Sequence, residues 1–164
     1  MNYHIRKLGV TDGPLLKALN IELAEKEAWI ARTQKFDGMT DEDWIKRLNG
    51  EIGYSFALIH NDEPVGMLML RRYDEHPDVA MLMKAYVRKS HRGIGYLYAG
   101  HVLRLMANEA KLLGFDKIGF SHRRKNKFIG LLAKRHGFKP IEEIELDFAD
   151  GERDRRITWV KSLS

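Results

Sequence analysis

One short segment, residues 92–95 with the sequence RGIG, limits what this chain can fold into more than any other feature. It follows an apolar stretch that ends at Val87 and precedes a long run with helical periodicity. Gly93 and Gly95 have no Cβ, so the backbone can approach a ligand closely where the helix begins. A helix N-terminus offers unpaired N–H groups and a partial positive charge, and both suit a pyrophosphate. The segment therefore predicts a strand, a phosphate-binding turn and a helix.

Two other phosphate-binding turns fit this segment poorly. A Rossmann turn needs a third glycine, where this chain has Leu97 or Tyr98. It also needs an acidic residue at the end of the next strand, which here ends in Ser121 and His122. The Walker pattern fails because no Gly-Lys-Ser or Gly-Lys-Thr occurs. A tight strand-to-helix turn without a ligand remains an equal alternative on these residues alone.

The hydrophobic pattern predicts an antiparallel meander, then strand, helix, strand and helix, and finally a hairpin. The predicted strands are residues 3–8, 54–60, 65–73, 79–87, 117–122, 141–148 and 155–160. The predicted helices begin near Thr11, after Thr40, near Ile94 and at Asn126. Thr40 with Asp43 resembles a capping box, and Gly114 and Gly137 suit helix ends. This order indicates a mixed sheet covered by helices.

Length and composition predict a single domain over residues 1–164. Hydrophobic residues make up 44% of the chain and charged residues 31%, which is normal for a globular protein. The chain has no cysteine, which excludes disulfides, thiolate metal sites and a cysteine nucleophile. Its first residues lack an apolar targeting segment and no stretch is long enough to span a membrane, so we expect a cytoplasmic protein. The net charge of +5 favours anionic partners without choosing among them.

Two motifs resemble the GNAT superfamily of acyl-CoA N-acyltransferases. Its central motif is a strand ending in Val, then Arg or Gln-x-x-Gly-x-Gly or Ala and a helix, which Val87, Arg92 and Gly95 match. Its second motif is matched by four residues: Asn126, Leu132, Gly137 and Phe138. A register that starts at Ser90 keeps both glycines of the turn but loses the arginine. We prefer the register that starts at Arg92 because it preserves the family's loop length after Val87. The order of elements agrees over nearly the whole chain.

The resemblance implies a GNAT-like α/β (α+β) fold. The mixed sheet would be mostly antiparallel, with about seven strands, about four flanking helices and a splay between strands four and five. It also implies an N-acetyltransferase that moves an acetyl group from acetyl-CoA to a primary amine by direct attack in a ternary complex, without a metal. The residues expected to bind the coenzyme are Val87, Arg88, Arg92, Gly93, Ile94, Gly95, Tyr96, Leu97 and Asn126.

The resemblance also implies how the reaction is assisted. A main-chain N–H near Val87 would polarise the acetyl carbonyl, and such donors commonly lower a barrier by about 3 kcal/mol. Ala133 stands where the family often has a tyrosine acid, and we expect it to line the coenzyme channel. The remaining candidates for proton transfer are Tyr86 and His122, at the ends of strands four and five, although each has a structural alternative.

The acceptor is expected to be an amine of a small molecule or a protein. In the family the first two helices face the acceptor, and their carboxylates, which could equally form a solvated face, are Glu22, Glu25, Glu27, Asp37, Asp41 and Glu42. A basic cluster surrounds the last helix at Arg123, Arg124, Lys125, Lys127, Lys134 and Arg135. It lacks interleaved aromatics, so we rank coenzyme above nucleic acid as its partner. A homodimer is compatible with these features. The alternatives are a catalytically silent acyl-CoA-binding or interaction module and a nucleic-acid-associated protein.

Overall fold

The computed structural model describes residues 3–26, 39–91, 95–148 and 151–164. The chain divides into two compact units. Unit 1 comprises Met1–Arg71 and Met83–His91, and unit 2 comprises Arg72–Leu82 and Arg92–Ser164. The predicted single domain over the whole chain stays a prediction.

The described part of unit 1 contains four strands and two α-helices. They are β1 (Tyr3–Lys7), α1 (Gly13–Lys26), α2 (Asp41–Ile45), β2 (Gly53–His60), β3 (Glu63–Tyr73) and the end of β4 (His76–Val87). Short 3-10 helices lie at Val10–Asp12 and Lys89–His91. The strands are ordered β1-β2-β3-β4, and β2 is antiparallel to both β1 and β3.

Two local features of unit 1 were predicted from the sequence, the N-terminal cap of α2 and the turn between β2 and β3. Thr40 caps α2: its hydroxyl accepts from the Asp43 N–H at 3.2 Å, and its own N–H donates to Asp43 Oδ2 at 2.8 Å. Between β2 and β3, Asn61 and Asp62 have φ values of 49° and 64°, as a two-residue hairpin turn requires. The turn is therefore shorter than predicted, because Pro64 already pairs with Ile59.

The core of unit 1 lies between the apolar face of α1 and the sheet. Leu16, Leu19 and Leu23 follow helical spacing, and all three are buried. The residues packed in the same cluster are Leu8, Trp44, Leu48, Ala57, Ile59, Met67 and Tyr86. The periodicity of α1 therefore reports its buried face correctly.

The described part of unit 2 contains the first part of β4, three further strands and two α-helices. These are α3 (Gly95–Leu112), β5 (Lys117–Arg123), α4 (Lys127–Arg135), β6 (Lys139–Asp147) and β7 (Arg153–Ser162). The strand order is β4-β5-β7-β6, with β7 antiparallel to both neighbours. The predicted mixed, mostly antiparallel sheet with flanking helices is confirmed.

Strand β5 is the parallel partner of β4 over a short register. The pairs run from Val79 opposite Lys117 to Met81 opposite Gly119. Along its other edge β5 continues beside β7 as far as Arg123. These pairs fix the parallel contact of β4 with β5 within unit 2.

Both helices of unit 2 end in the same hydrogen-bonded motif. Gly114 and Gly137 have φ values of 89° and 80°, which favour glycine. The N–H of Phe115 donates to the carbonyl of Ala110, and the N–H of Phe138 donates to that of Ala133. These bonds define Schellman caps, so both glycines have the predicted role. Among the described residues, no helix is long and apolar enough to cross a membrane.

Candidate active site

The predicted coenzyme-binding residues fall into four groups. Val87 and Arg88 lie at the end of β4 and directly after it. Arg92, Gly93 and Ile94 lie outside the described residues. Gly95, Tyr96 and Leu97 form the first turn of α3. The N–H groups of that turn precede the first internal hydrogen bonds of an eighteen-residue helix. Asn126 is the N-cap residue of α4.

The end of β4 is fixed against β3. The Arg88 N–H donates to the Val65 carbonyl at 2.8 Å. Because N–H groups of consecutive strand residues point to opposite edges, the Val87 N–H is directed away from β3. A Cβ on Gly66 would lie 2.4 Å from the Tyr86 carbonyl oxygen, so only glycine permits this approach. The role of a main-chain N–H near Val87 as the carbonyl-polarising donor stays a prediction.

Glu22 on α1 joins the two residues on either side of Val87. The Arg88 guanidinium donates from Nε at 2.8 Å and from Nη2 at 3.1 Å to the two carboxylate oxygens. The Tyr86 hydroxyl donates to Glu22 Oε1 at 3.1 Å. The hydrogen bonds to Glu22 raise the pKa of Arg88, so the guanidinium stays charged. The carboxylate thus anchors the end of β4 to the first helix.

This arrangement changes what three predicted residues can do. The Arg88 guanidinium, expected to bind the coenzyme, is directed to Glu22. Tyr86 is 3% exposed and packs in the core of unit 1, with its hydroxyl hydrogen bound to the carboxylate. Glu22, expected to attract an amine, has its charge balanced by the guanidinium. The catalytic role of Tyr86 stays a prediction.

His122 at the end of β5 has both ring nitrogens in hydrogen bonds. Nδ1 lies 2.8 Å from the Arg123 carbonyl, and Nε2 lies 2.8 Å from Trp159 Nε1. An indole nitrogen only donates, so Nε2 accepts and the imidazole proton is on Nδ1. Burial lowers the pKa of His122, which keeps the ring neutral near pH 7. A proton relay through Nε2 would have to displace Trp159, and the catalytic role of His122 stays a prediction.

Ala133 corrects one expectation. It was expected to face an open channel, yet it is 0% exposed among packed residues of unit 2. Leu131, two positions earlier on α4, is 62% exposed. Position 133 therefore belongs to the closed core side of the helix, where a tyrosine ring lacks space.

The basic cluster around α4 is paired in part. Arg123 contacts Glu152 and Asp154 at 3.1 and 3.7 Å, and Lys125 forms an ion pair with Glu152. Asp41 and Glu42 lie in the exposed first turn of α2. Glu27 and Asp37 are outside the described residues. The cluster around Arg123 is thus partly neutralised by the β7 strand and the turn before it.

The sequence did not single out Trp159 or Gly66, and it did not predict the partners of Glu22. Trp159 is far from His122 in sequence, and Gly66 and Glu22 are far from the end of β4. The register of β5 with β7 would place Trp159 opposite Phe120, two residues from His122. The pairing of β5 with β7 would therefore have identified Trp159 as a neighbour of His122, but hydrophobic periodicity does not show which strands pair.

Comparisons with solved structures agree with this fold. A probable acetyltransferase from Staphylococcus epidermidis is 14% identical, with 99% of both chains covered and a TM-score of 0.73. A dodecameric spermidine N-acetyltransferase from Vibrio cholerae is 17% identical, with 99% of this chain and 94% of that one covered and a TM-score of 0.74. A ribosomal alpha-N-protein acetyltransferase in complex with coenzyme A is 13% identical, with 98% and 93% covered and a TM-score of 0.72.

The family comparison goes beyond the fold. No curated protein matches the chain significantly. The model of the Acetyltransferase (GNAT) family matches residues 18–138, which include the end of β4, the α3 turn and α4. This chain therefore belongs to the GNAT acetyltransferase family and is an acyl-CoA-dependent N-acyltransferase.

Proposed function

We propose that the protein transfers an acetyl group from acetyl-CoA to a primary amine by direct attack in a ternary complex. The amine nitrogen forms a bond to the thioester carbonyl carbon, and the carbon–sulfur bond breaks. The coenzyme leaves as a thiolate that takes up a proton, while the nitrogen loses one. The acceptor's identity, the acyl group and a cytoplasmic location stay predictions.

The observation that carries this proposal is the first turn of α3. The eighteen-residue helix begins at Gly95, directly after the segment that carries Arg92 and Gly93. Its first N–H groups and the partial positive charge of its N-terminus suit a pyrophosphate. A coenzyme held here would have its thioester fixed for attack by a neutral amine. Such proximity alone can lower a reaction barrier by several kcal/mol.

The end of β4 supports the catalytic part of the proposal. The proposed donor to the thioester carbonyl is a main-chain N–H near Val87, at the end of a strand whose next residue, Arg88, is hydrogen bonded to β3. Glu22 and Gly66 hold the residues on either side in place. A fixed donor loses no free energy to reorganisation when charge develops on the carbonyl oxygen.

The amine class is supported by two neighbours of the same fold. One is described as a spermidine N-acetyltransferase and the other as a ribosomal alpha-N-protein acetyltransferase. Both descriptions name amines, one small and one on a protein. We therefore propose an amine acceptor for this chain without choosing between these two sizes.

The first experiment measures released thiol from acetyl-CoA with a panel of polyamines, aminoglycosides, amino acids and peptides. We expect thiol release in proportion to an N-acetylated product identified by mass. Initial-rate lines that intersect when both substrates are varied support a ternary complex, and parallel lines contradict it by indicating a covalent intermediate. Acetyl-CoA binding without transfer to any amine would favour the silent binding module.

The second experiment tests the helix N-terminus. Gly95→Val places a branched side chain where the backbone must approach the pyrophosphate, so we expect calorimetric binding of acetyl-CoA to be lost. Gly13→Val is the matched control, because a Cβ at Gly13 meets no atom within 4 Å. Unchanged affinity in a folded Gly95→Val protein would overturn the proposed site.

A further inference from the structure

The carbonyl of Arg123 is a hydrogen-bond centre between β5 and α4. It accepts from His122 Nδ1 at 2.8 Å and from the Asn126 N–H at 2.9 Å. Asn126 is the N-cap residue of α4, and its side chain makes no capping hydrogen bond. The imidazole and the cap residue therefore share one acceptor, so the ring position and the turn over residues 123–126 are coupled.

Trp159 fixes which form of the imidazole makes this contact. Its Nε1–H donates to His122 Nε2, and the two rings lie 6.2 Å apart at an interplanar angle of 18°. Trp159 is only 4% exposed, so its indole cannot easily exchange this acceptor for water. The donor on one side and the carbonyl on the other leave only the neutral Nδ1–H tautomer.

Helix α4 passes close to this pair of rings at Gly130. A Cβ added at Gly130 would lie 3.5 Å from His122 Cε1 and 3.9 Å from Trp159 Cζ2. Both are ordinary van der Waals distances, so the space between the helix backbone and the rings is about the size of one methyl group. The imidazole thus supports the start of the helix through the Arg123 carbonyl and lies beside its second turn.

We propose that His122 is a positioning residue for coenzyme binding, which acts as the Trp159-bound Nδ1–H tautomer to hold the 123–126 turn and Asn126 in place. The inference rests on the proposed function, because Asn126 is expected to contact acetyl-CoA. His122 exchanges no proton with the substrates. The residue acts through Asn126 and does not touch the reacting atoms.

Protonation of the His122 imidazole would remove its support of the 123–126 turn. A second N–H on Nε2 would face the N–H of Trp159, so the charged ring must leave its place. The charged side chains on the adjoining strands are Arg123 and Arg156, whose ion pairs go to Glu152, Asp154 and Glu142. On α4, Lys127 and Lys134 lie three and four residues from Gly130. Burial of the ring lowers the pKa of His122 and disfavours the charged imidazole, so the turn loosens when acid protonates the ring.

The tautomer is tested first, without substrate. Long-range ¹H–¹⁵N spectra of the protein near pH 7.5 should show a protonated Nδ1 and an unprotonated Nε2 for His122. The His122 signals are assigned as those that are absent from the spectrum of His122→Asn. A proton on Nε2 would overturn the proposal. This result does not depend on whether the protein is an acetyltransferase.

Acetyl-CoA affinity is tested next by calorimetry from pH 5 to pH 8. We expect His122→Ala to weaken binding about fivefold at pH 7.5, which corresponds to one lost hydrogen bond. His122→Asn should restore most of the affinity, because its amide can donate to the Arg123 carbonyl. Because asparagine does not titrate, this variant should not lose acetyl-CoA affinity as the pH decreases. In Trp159→Phe the loss of acetyl-CoA affinity should begin at a higher pH, because the neutral imidazole of His122 no longer accepts a hydrogen bond from the indole.

The outcomes separate positioning from catalysis. His76→Ala, an exposed histidine of the same unit, is the control and should match the parent. A fall in kcat in both His122→Ala and His122→Asn with unchanged affinity would overturn the proposal in favour of proton transfer. Equal affinity of all variants at every pH also overturns it. If the parent protein itself binds no acetyl-CoA, the proposed function is wrong. The spectra still decide separately whether His122 has the Nδ1–H tautomer.

Discussion

Glu22 illustrates what single residues reveal and what they conceal. Its type and helix position predicted an exposed carboxylate near an acceptor, yet it binds Arg88 and Tyr86. No local pattern links residues more than sixty positions apart, because such contacts depend on how α1 packs on the sheet. The candidate residues at the end of β4 were predictable, but their hydrogen-bond partners were not.

Changing Tyr86 to Phe tests whether the hydroxyl is used in catalysis. The ring remains in the core, and only the hydrogen bond to Glu22 is lost, so we expect about 1 kcal/mol or less of lost stability. If Tyr86 transfers a proton, the rate of acetylation should fall by about 10²-fold in steady-state assays at saturating substrates. A variant with the parental rate would assign the hydroxyl a structural role only.

Replacing Ala133 by Tyr should destabilise the protein rather than raise its activity. The residue is 0% exposed, so the added ring must displace its neighbours, at a cost of about 1–3 kcal/mol. Leu131→Tyr places the same ring on the exposed side of α4 and serves as the control. Urea unfolding followed by circular dichroism should show a lower midpoint for Ala133→Tyr alone. A stable and faster Ala133→Tyr enzyme would restore the original channel assignment.

At the level of elements, local chemistry predicted more than pairing did. The capping box at Thr40 and the left-handed glycines at 114 and 137 involve bonds within a few residues, and each has its expected role. Strand β4 begins at His76, three residues earlier than predicted. The sequence of residues 76–78 favours a turn, but these residues pair with a neighbouring strand, and this pairing overrides their local preference.

The close approach of β3 and β4 can be tested at Gly66. Gly66→Ala puts a Cβ 2.4 Å from the Tyr86 carbonyl oxygen, so one strand must move. We expect a loss of at least about 2 kcal/mol of unfolding free energy, together with weaker catalysis through displaced Val87. Gly13→Ala, with open space and a φ of −49°, should instead be neutral or slightly stabilising. Equal thermal midpoints for the two variants would contradict this packing.

For the whole molecule, the family and the fold class were predictable from two motifs and the order of elements. The strand order was harder, because it depends on which distant strand pairs with β5. The residues 92–94 that carried the sequence argument lie outside the described structure, so their role rests on the experiments above.

Two partly buried imidazoles predict how stability depends on pH. Burial lowers the pKa of His122, and burial followed by Lys161, Arg104 and Arg135 lowers the pKa of His136. The unfolded chain binds these protons near pH 6.5, before the folded protein does, so stability is complete above that pH and falls as the pH decreases through it. The pKa of Asp43, lowered mainly by its hydrogen bonds with Thr40, affects only more acidic conditions.

The measurement is the thermal midpoint between pH 7.5 and pH 5.5. We expect it to decrease in the parent and to decrease less in a His122→Asn, His136→Asn double variant. A double variant with the parental slope would show that neither imidazole is buried in the neutral form.

The position of β7 between β5 and β6 has a consequence for how the protein is made. A ribosome delivers β5, α4 and β6 before β7, so the two earlier strands emerge without the neighbour that both of them require. Their backbone groups stay solvated, and unit 2 cannot complete its sheet until the later strand inserts. During synthesis the nascent chain therefore presents open strand edges, which makes β7 the step at which chaperone dependence should end.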